Sequence, residues 1–316
     1  MGRFSKAIAA VKDQTSIRLA RSGSKTSLSD LDVAIVKATS HDECLSDECH
    51  ILAILNLTSN SPIYVASCVN TISQRLNKTR NWVVALKTLM LVRRLLLDGN
   101  PLYEHEIFFA TRRGTRLLNM SDFRDTLKSN TWDYAAFVRA FALFLDEQLE
   151  YKMQGKRETE SSSSRVVKND GERTRPEAIV LPVCELKNYQ LFALNNHLMQ
   201  LLERFLACRP AGEARTHRMV MVALYPLLVQ SFQIYQDLKE VMGVLTNRFD
   251  ELNIPLAVKV YGIFRRVSTQ YEELEMFYDW CKSVGIARTS EYPEIDKISQ
   301  TKLDNMDERI KEKSKE

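Results

Sequence analysis

Apolar side chains recur every three or four residues along almost the whole chain, a spacing that is typical of helices packed through one face. The clearest case is the segment 133–153, where the apolar face holds Phe137, Ala140, Phe141, Phe144, Leu145 and Leu149. Only 10 Gly and 8 Pro interrupt 316 residues, and no segment alternates as a β-strand does. The sequence therefore predicts an all-α fold in which helical hairpins stack as an α-solenoid.

The helical pattern is broken once, at residues 154–176. This stretch contains four consecutive serines, many bases and almost no large apolar residue, which predicts a flexible loop. Before it, the segment 82–97 is apolar on most sides, so we expect its helix to lie at the centre of the core. After Pro293 the chain is strongly charged and predicts a final exposed helix.

Composition excludes several classes of function. No apolar run approaches the roughly 20 residues of a membrane span, so any membrane contact is predicted to be peripheral. A net charge of +4 is too small to indicate a nucleic-acid partner. The six cysteines are scattered and no signal peptide precedes them, which favours reduced thiols in the cytosol. Without a phosphate-binding glycine loop or a recognisable catalytic arrangement, we predict no enzyme activity and no cofactor.

Two hypotheses compete for the segment 31–50, which reads LDVAIVKATSHDECLSDECH. Its thiols and imidazoles are the groups that zinc prefers, namely those of His41, Cys44, Cys49 and His50. Their spacing is poor for a structural site, because the last two are adjacent and are expected to point in different directions. We therefore predict that Cys44 and Cys49 hold no metal. The second hypothesis is an anion-binding junction between two helices.

Several long blocks resemble the ANTH domain of plant clathrin-assembly proteins, in order from about Ala7 to Lys313. They include DLDVAIVKATSH, KTRNWVVALKTLMLVRRLLLDGNP, DYAAFVRAFALFLDEQLEY and VMVALYPLLVQSFQIY. The resemblance implies an ANTH domain over 1–290 with an ENTH-like part at about 24–153 and a helical part at 177–290. A charged helix over 291–316 would follow.

By this resemblance the chain is a phosphoinositide-binding endocytic adaptor that recruits the clathrin coat and R-SNARE cargo. It would act as a peripheral protein of the cytoplasm, at clathrin-coated pits and vesicles and at the Golgi. The tail that carries clathrin-binding peptides in the family has no counterpart in this sequence, so no direct clathrin-binding motif is predicted. The resemblance assigns no residue to the R-SNARE groove.

The family's lipid signature, Lys-Ala-Thr followed by Lys-x-Lys/Arg-His, is only partly matched here. Lys37, Thr39 and His50 fit the signature and are the predicted head-group ligands. Asp47 and Cys49 stand where the family has basic residues, which removes positive charge. We expect weaker phosphoinositide binding than in a relative with the full signature.

Two further expectations follow from this loss of charge. An alternative function is a protein-binding α-solenoid scaffold, for SNAREs or cargo, whose lipid specificity is weakened. In either case basic residues outside the signature are predicted to supply diffuse attraction to an anionic membrane. The candidates are Lys6, Lys12, Arg75, Lys78 and Arg80.

Overall fold

Helices form all of the regular secondary structure in the described part of the chain, which in this computed structural model comprises residues 3–22, 26–113, 115–125, 131–166 and 182–315. Four short 3-10 helices accompany the α-helices in these ranges, and no strand occurs there, so the predicted all-α fold is confirmed. The α-helices are α1 (Arg3–Ser22), α2 (Thr26–Ala38), α3 (Glu48–Thr58), α4 (Pro62–Lys78), α5 (Trp82–Asp98), α6 (Leu102–Arg113), α7 (Trp132–Val166), α8 (Asn188–Leu206), α9 (Arg218–Arg248), α10 (Ile254–Ser283) and α11 (Gln300–Lys313).

The chain divides into two compact units. The first contains residues 1–156 and 210–223, and the second contains 157–209 and 224–316. In the first unit, α5 contacts α2, α3, α4 and α6, and most of its side chains are buried. The predicted central position of segment 82–97 is thereby confirmed. Asn81 caps the helix, its side-chain oxygen accepting the N–H of Val83 at 2.8 Å and that of Val84 at 3.2 Å.

The segment 210–223 is fixed to the first unit by a close backbone approach. Gly212 has a φ of +46°, which strains other residues, and a Cβ there would lie 1.9 Å from a carboxylate oxygen of Asp133 and displace it. The same carboxylate accepts the N–H of Glu213 at 3.2 Å. In the same segment, the His217 ring lies edge-on to the Trp82 ring, with centroids 4.9 Å apart.

The second unit has a core of aromatic rings between α8, α9 and α10. Phe205 and Phe277 stack with centroids 5.0 Å apart. The Tyr235 hydroxyl donates to the carbonyl of Glu294 at 3.0 Å and accepts the N–H of Asp296 at 2.9 Å. These two bonds hold the segment that precedes α11 in a non-helical conformation.

Two predicted boundaries are wrong. The loop predicted at 154–176 does not begin at 154, because α7 continues to Val166; residues 167–176 lie outside the described ranges. Lys, Arg, Gln and Glu favour helix, and extending a helix that is already nucleated costs little. The final helix, predicted over 291–316, begins only at Gln300, where the Ser299 hydroxyl caps it by accepting the N–H of Lys302 at 3.3 Å.

The length and polarity of the helices also bear on membrane contact. Within the ranges that the structure describes, no helix combines the length and the apolar character needed to cross a bilayer.

Candidate functional site

The junction between α2 and α3 is organised by Thr39, which is fully buried. Its hydroxyl donates to the carbonyl of Ile35 at 2.6 Å and accepts a hydrogen bond from Nε of Arg75. Nη2 of Arg75 donates to the Thr39 carbonyl at 2.6 Å. Because Thr39 has no exposed surface and its hydroxyl is engaged, it positions the junction, and its role toward a head group stays a prediction.

Asp13 of α1 draws two basic side chains of the junction inward. Its carboxylate accepts the backbone N–H of His41 at 3.0 Å and lies 2.7 Å from Nδ1 of the same histidine. It also lies 3.7 Å from Nη2 of Arg75, whose side chain is only 12% exposed. Burial lowers the pKa of Arg75, and Asp13 opposes that shift. Arg75 is thus less exposed than the sequence suggested, and its attraction to membranes stays a prediction.

Lys87 is a buried cation that holds the loop between α2 and α3. Its side chain is 2% exposed, and its Nζ lies 2.8 Å from Oδ1 of Asp42 and 3.0 Å from Oγ of Ser40. Burial raises the pKa of Asp42, but the hydrogen bonds from Lys87 and Ser40 outweigh it, so that the net pKa is lowered. The positive charge of Lys87 thus stabilises the loop between α2 and α3 through Asp42 and Ser40.

Lys37 and His50 line one cavity of about 690 Å³ between α1 and the α2–α3 junction, which we call the junction cavity. The structure thus brings these two predicted head-group ligands to one place. Three carboxylates line the same cavity, those of Asp13, Asp42 and Glu43. The field around Lys37 is therefore less positive than the sequence signature implies.

Asp47 has a structural role that explains an acid where the family signature has a base. It is the N-cap of α3, and its carboxylate accepts the N–H of Cys49 at 3.0 Å. That backbone hydrogen bond lowers the pKa of Asp47. A carboxylate at a helix N-terminus is stabilising, whereas a lysine there lacks an acceptor and meets the positive end of the dipole.

Asp47, Cys49 and His50 together form a group of possible metal ligands. Their ligand atoms all lie within 4.8 Å of one another. Sγ of Cys49 is 3.6 Å from Nδ1 of His50, so the expectation that these neighbours point in different directions is wrong. Three ligands are one fewer than a closed structural zinc site has. Hydrogen bonding to Asp47 raises the pKa of the Cys49 thiol, which disfavours the thiolate that zinc requires. The absence of metal stays a prediction.

Asp13 and Lys87 were not singled out from the sequence, although each left a signal there. Asp13 is the one acid in the otherwise basic helix α1. Lys87 interrupts the apolar run WVVALKTLMLV of α5. A charge inside such a run predicts a buried ion pair, but the partner Asp42 lies 45 residues away in sequence.

Comparison with known proteins gives consistent matches. The ANTH domain family model matches residues 30–312. Two clathrin assembly proteins of Arabidopsis thaliana are 57% and 54% identical to the chain over 322 and 330 residues. The clathrin coat assembly protein AP180 of the same plant is 40% identical over 327 residues. Each alignment covers 99% of this chain, but 54%, 54% and 50% of the relative, so the chain spans about half the length of these relatives.

One solved structure supports the fold. The ENTH domain from epsin-2, in complex with phosphatidylinositol 4,5-bisphosphate, matches with a TM-score of 0.51 at 17% sequence identity. The match covers 84% of this chain and 96% of that domain. At this identity the likeness shows a shared all-α fold alone.

Proposed function

The chain belongs to the ANTH domain family of clathrin assembly proteins, and from this premise we propose that it is a phosphoinositide-binding endocytic adaptor. The observation that carries the proposal is that Lys37 and His50 line a single cavity at the α2–α3 junction. Lysine supplies a positive charge to a phosphate, and an imidazole has at least one N–H to donate. Thr39 supports the site by fixing the end of α2.

The junction cavity is proposed to give selectivity for a head group with only modest affinity. The carboxylates of Asp13, Asp42 and Glu43 oppose a bound phosphate, although Asp42 is partly neutralised by Lys87. Binding is therefore proposed to be weaker than in a relative with the full basic signature.

Recruitment of partners forms the second part of the proposal. Names such as clathrin coat assembly protein AP180 support a role in coat assembly. The matched relatives are about twice as long as the chain, so their remaining halves are the natural place for further contacts. We propose peripheral attachment at coated pits and vesicles, without enzymatic activity. Binding of R-SNARE helices and presence at the Golgi remain predictions of the family resemblance.

A second candidate function is a protein-binding scaffold with weakened lipid specificity. The acidic lining of the junction cavity favours it, because a cavity with three carboxylates is a poor general anion site. The two candidates differ in how the chain responds to phosphoinositide at constant membrane charge.

Co-sedimentation with two charge-matched sets of vesicles separates the two functions. One set contains phosphatidylinositol 4,5-bisphosphate, and the other contains enough phosphatidylserine to give the same surface charge. The adaptor proposal expects tighter binding to the phosphoinositide set, by about threefold or more. Equal binding to both sets, or none to either, would favour the scaffold.

A further inference from the structure

A second cavity of the first unit, about 300 Å³ in volume, is lined by three arginines. Arg80 precedes α5, while Arg116 and Arg124 lie between α6 and α7. One carboxylate, that of Asp122, faces them, so the lining carries a formal charge of +2. We call this cavity the arginine pocket. Its volume is at the lower end of the range for small-molecule sites, about 300–1,000 Å³.

The side chains of these arginines are exposed and have no hydrogen-bond or ion-pair partner among the described residues. Some other arginines of the unit are paired. Arg112, for example, lies 2.7 Å from a carboxylate oxygen of Asp146 and 2.6 Å from one of Glu150. Three unpaired guanidinium groups around one cavity repel one another, and a bound anion would relieve that repulsion.

The backbone at Arg116 also indicates a functional position. Its φ is +56°, in the left-handed region that glycine adopts without strain. The conformation is held by its N–H, which donates to the Ala110 carbonyl at 3.1 Å, and by its carbonyl, which accepts the N–H of Asn119 at 2.9 Å. Glycine would form both hydrogen bonds with less backbone strain, so the backbone conformation does not explain why an arginine occupies this position.

The arginine pocket lies at the same end of the first unit as the junction cavity. Leu76 and Asn77, in the last turn of α4, line the pocket. Arg75, in the same turn, bonds to Thr39 at the junction. Both the junction and the arginine pocket therefore adjoin the last turn of α4.

We propose that the arginine pocket binds a phosphorylated inositol head group, as a second site besides the junction cavity. Arginine suits this ligand because its planar guanidinium presents two parallel N–H donors to the oxygens of a phosphate. Asn119, whose side-chain oxygen accepts the hydroxyl of Ser121 at 3.0 Å, keeps amide N–H groups as further donors. The inference deepens the proposed function and rests on it for the membrane as the source of the head group.

The test removes the three guanidinium groups with Arg80→Gln, Arg116→Gly and Arg124→Gln together. Glycine is chosen at 116 because it suits the backbone there. The matched control, Arg265→Gln with Arg266→Gln and Arg288→Gln, removes the same charge from exposed, unpaired arginines of the second unit as the structure describes it. Each protein is titrated with phosphatidylinositol 4,5-bisphosphate vesicles and, separately, with soluble inositol hexakisphosphate. Thermal unfolding checks that each protein is folded.

The pocket variant is expected to lose about tenfold or more in affinity for both probes, and the control less than about twofold. The wild-type protein could bind the soluble probe but not the vesicles, with only the pocket variant losing that binding. This result would support the pocket as an anion site and contradict its role at the membrane. The proposal is overturned if pocket variant and control behave alike, or if wild type binds neither probe. Should the triple variant not fold, Arg80→Gln and Arg124→Gln are compared singly with Arg265→Gln.

Discussion

The junction cavity and the arginine pocket lie at one end of the same unit, yet they use their charges differently. Around the junction, Arg75 and Lys87 are buried and bound to Asp13, Thr39 and Asp42. Around the arginine pocket, the basic side chains are exposed and unpaired among the described residues. In the region with the family's signature, Arg75 and Lys87 thus stabilise the fold, whereas the arginines of the other region are not used in this way within the described part of the chain.

The largest predicted effect is on the free energy of unfolding, and it is expected to differ between one acidic residue from each region. Asp42→Ala leaves Lys87 buried without its carboxylate, and we expect it to lower the free energy of unfolding by about 2–3 kcal/mol. Because the Asp42 side chain is partly exposed, the loss is expected to be smaller than for a fully buried ion pair. Asp122→Ala, in the arginine pocket, should change stability by less than about 0.5 kcal/mol.

Urea unfolding of both variants measures this difference. Lys87→Met, which removes the buried charge but keeps most of the volume, should cost less than Asp42→Ala. If Asp42→Ala is as stable as Asp122→Ala, the junction charges are not structural and the contrast between the two regions fails.

Restoring bases to the signature is predicted to have the next largest effect, on lipid affinity. Asp47→Lys with Cys49→Arg should strengthen phosphoinositide binding about tenfold, or roughly 1.4 kcal/mol. The lysine also removes the N-cap of α3, at a cost of about 1 kcal/mol in stability. Asp47→Ser with Cys49→Arg keeps a capping hydroxyl and separates the two effects.

Vesicle titration is the measurement, with Lys37→Ala added to the Asp47→Lys and Cys49→Arg background as a control that should reverse the gain. If neither double variant binds better than wild type, the junction cavity is not an inherited head-group site, and the scaffold function is favoured.

A smaller effect is expected in the acid stability of the junction. The pKa of Asp42 in the folded state lies below its ordinary value of 3.8. Its contribution to stability is therefore complete above about pH 4 and is lost as the pH falls through the folded-state pKa. Lys87→Met removes the hydrogen bond that lowers this pKa, so stability should fall less steeply below about pH 4. Equal acid profiles for wild type and Lys87→Met, followed by circular dichroism, would contradict this account.

No effect at all is predicted from removal of metal. Three possible ligands and a disfavoured thiolate argue against a zinc site at Asp47, Cys49 and His50. Elemental analysis of the purified protein should show no stoichiometric zinc, and a chelator should leave the helical circular dichroism unchanged. Stoichiometric zinc whose removal unfolds α3 would contradict this prediction.

The fold could largely be predicted from the sequence, because helical periodicity and capping are local properties. The segment 82–97 was identified as central from its apolar character alone, and the structure buries it. The errors occur where non-local contacts contribute, as at 292–299, where Glu294 and Asp296 bond through their backbone to Tyr235 and the segment is not helical. In the same way, the sequence around Arg75 predicts an exposed side chain. In the structure, contacts with residues 36 or more positions away largely bury it.

The candidate site was predictable only in part. The family signature points to Lys37 and His50, which do share a cavity. Which other bases remain available depends on pairs such as Lys87 with Asp42, which no local pattern encodes. Arg80 was singled out from the sequence as one of several diffuse charges, whereas Arg116 and Arg124 carried no signal until the chain was folded.

We predict that basic side chains with few carboxylates nearby, more than the signature residues, set the affinity for membranes. Lys37→Gln and Arg116→Gly each remove one positive charge, so titration of both with vesicles that contain phosphatidylinositol 4,5-bisphosphate tests it most directly. We predict that Arg116→Gly lowers the affinity about fivefold, whereas Lys37→Gln, already facing three carboxylates, lowers it by about twofold. A loss for Lys37→Gln equal to or larger than that for Arg116→Gly would contradict the claim.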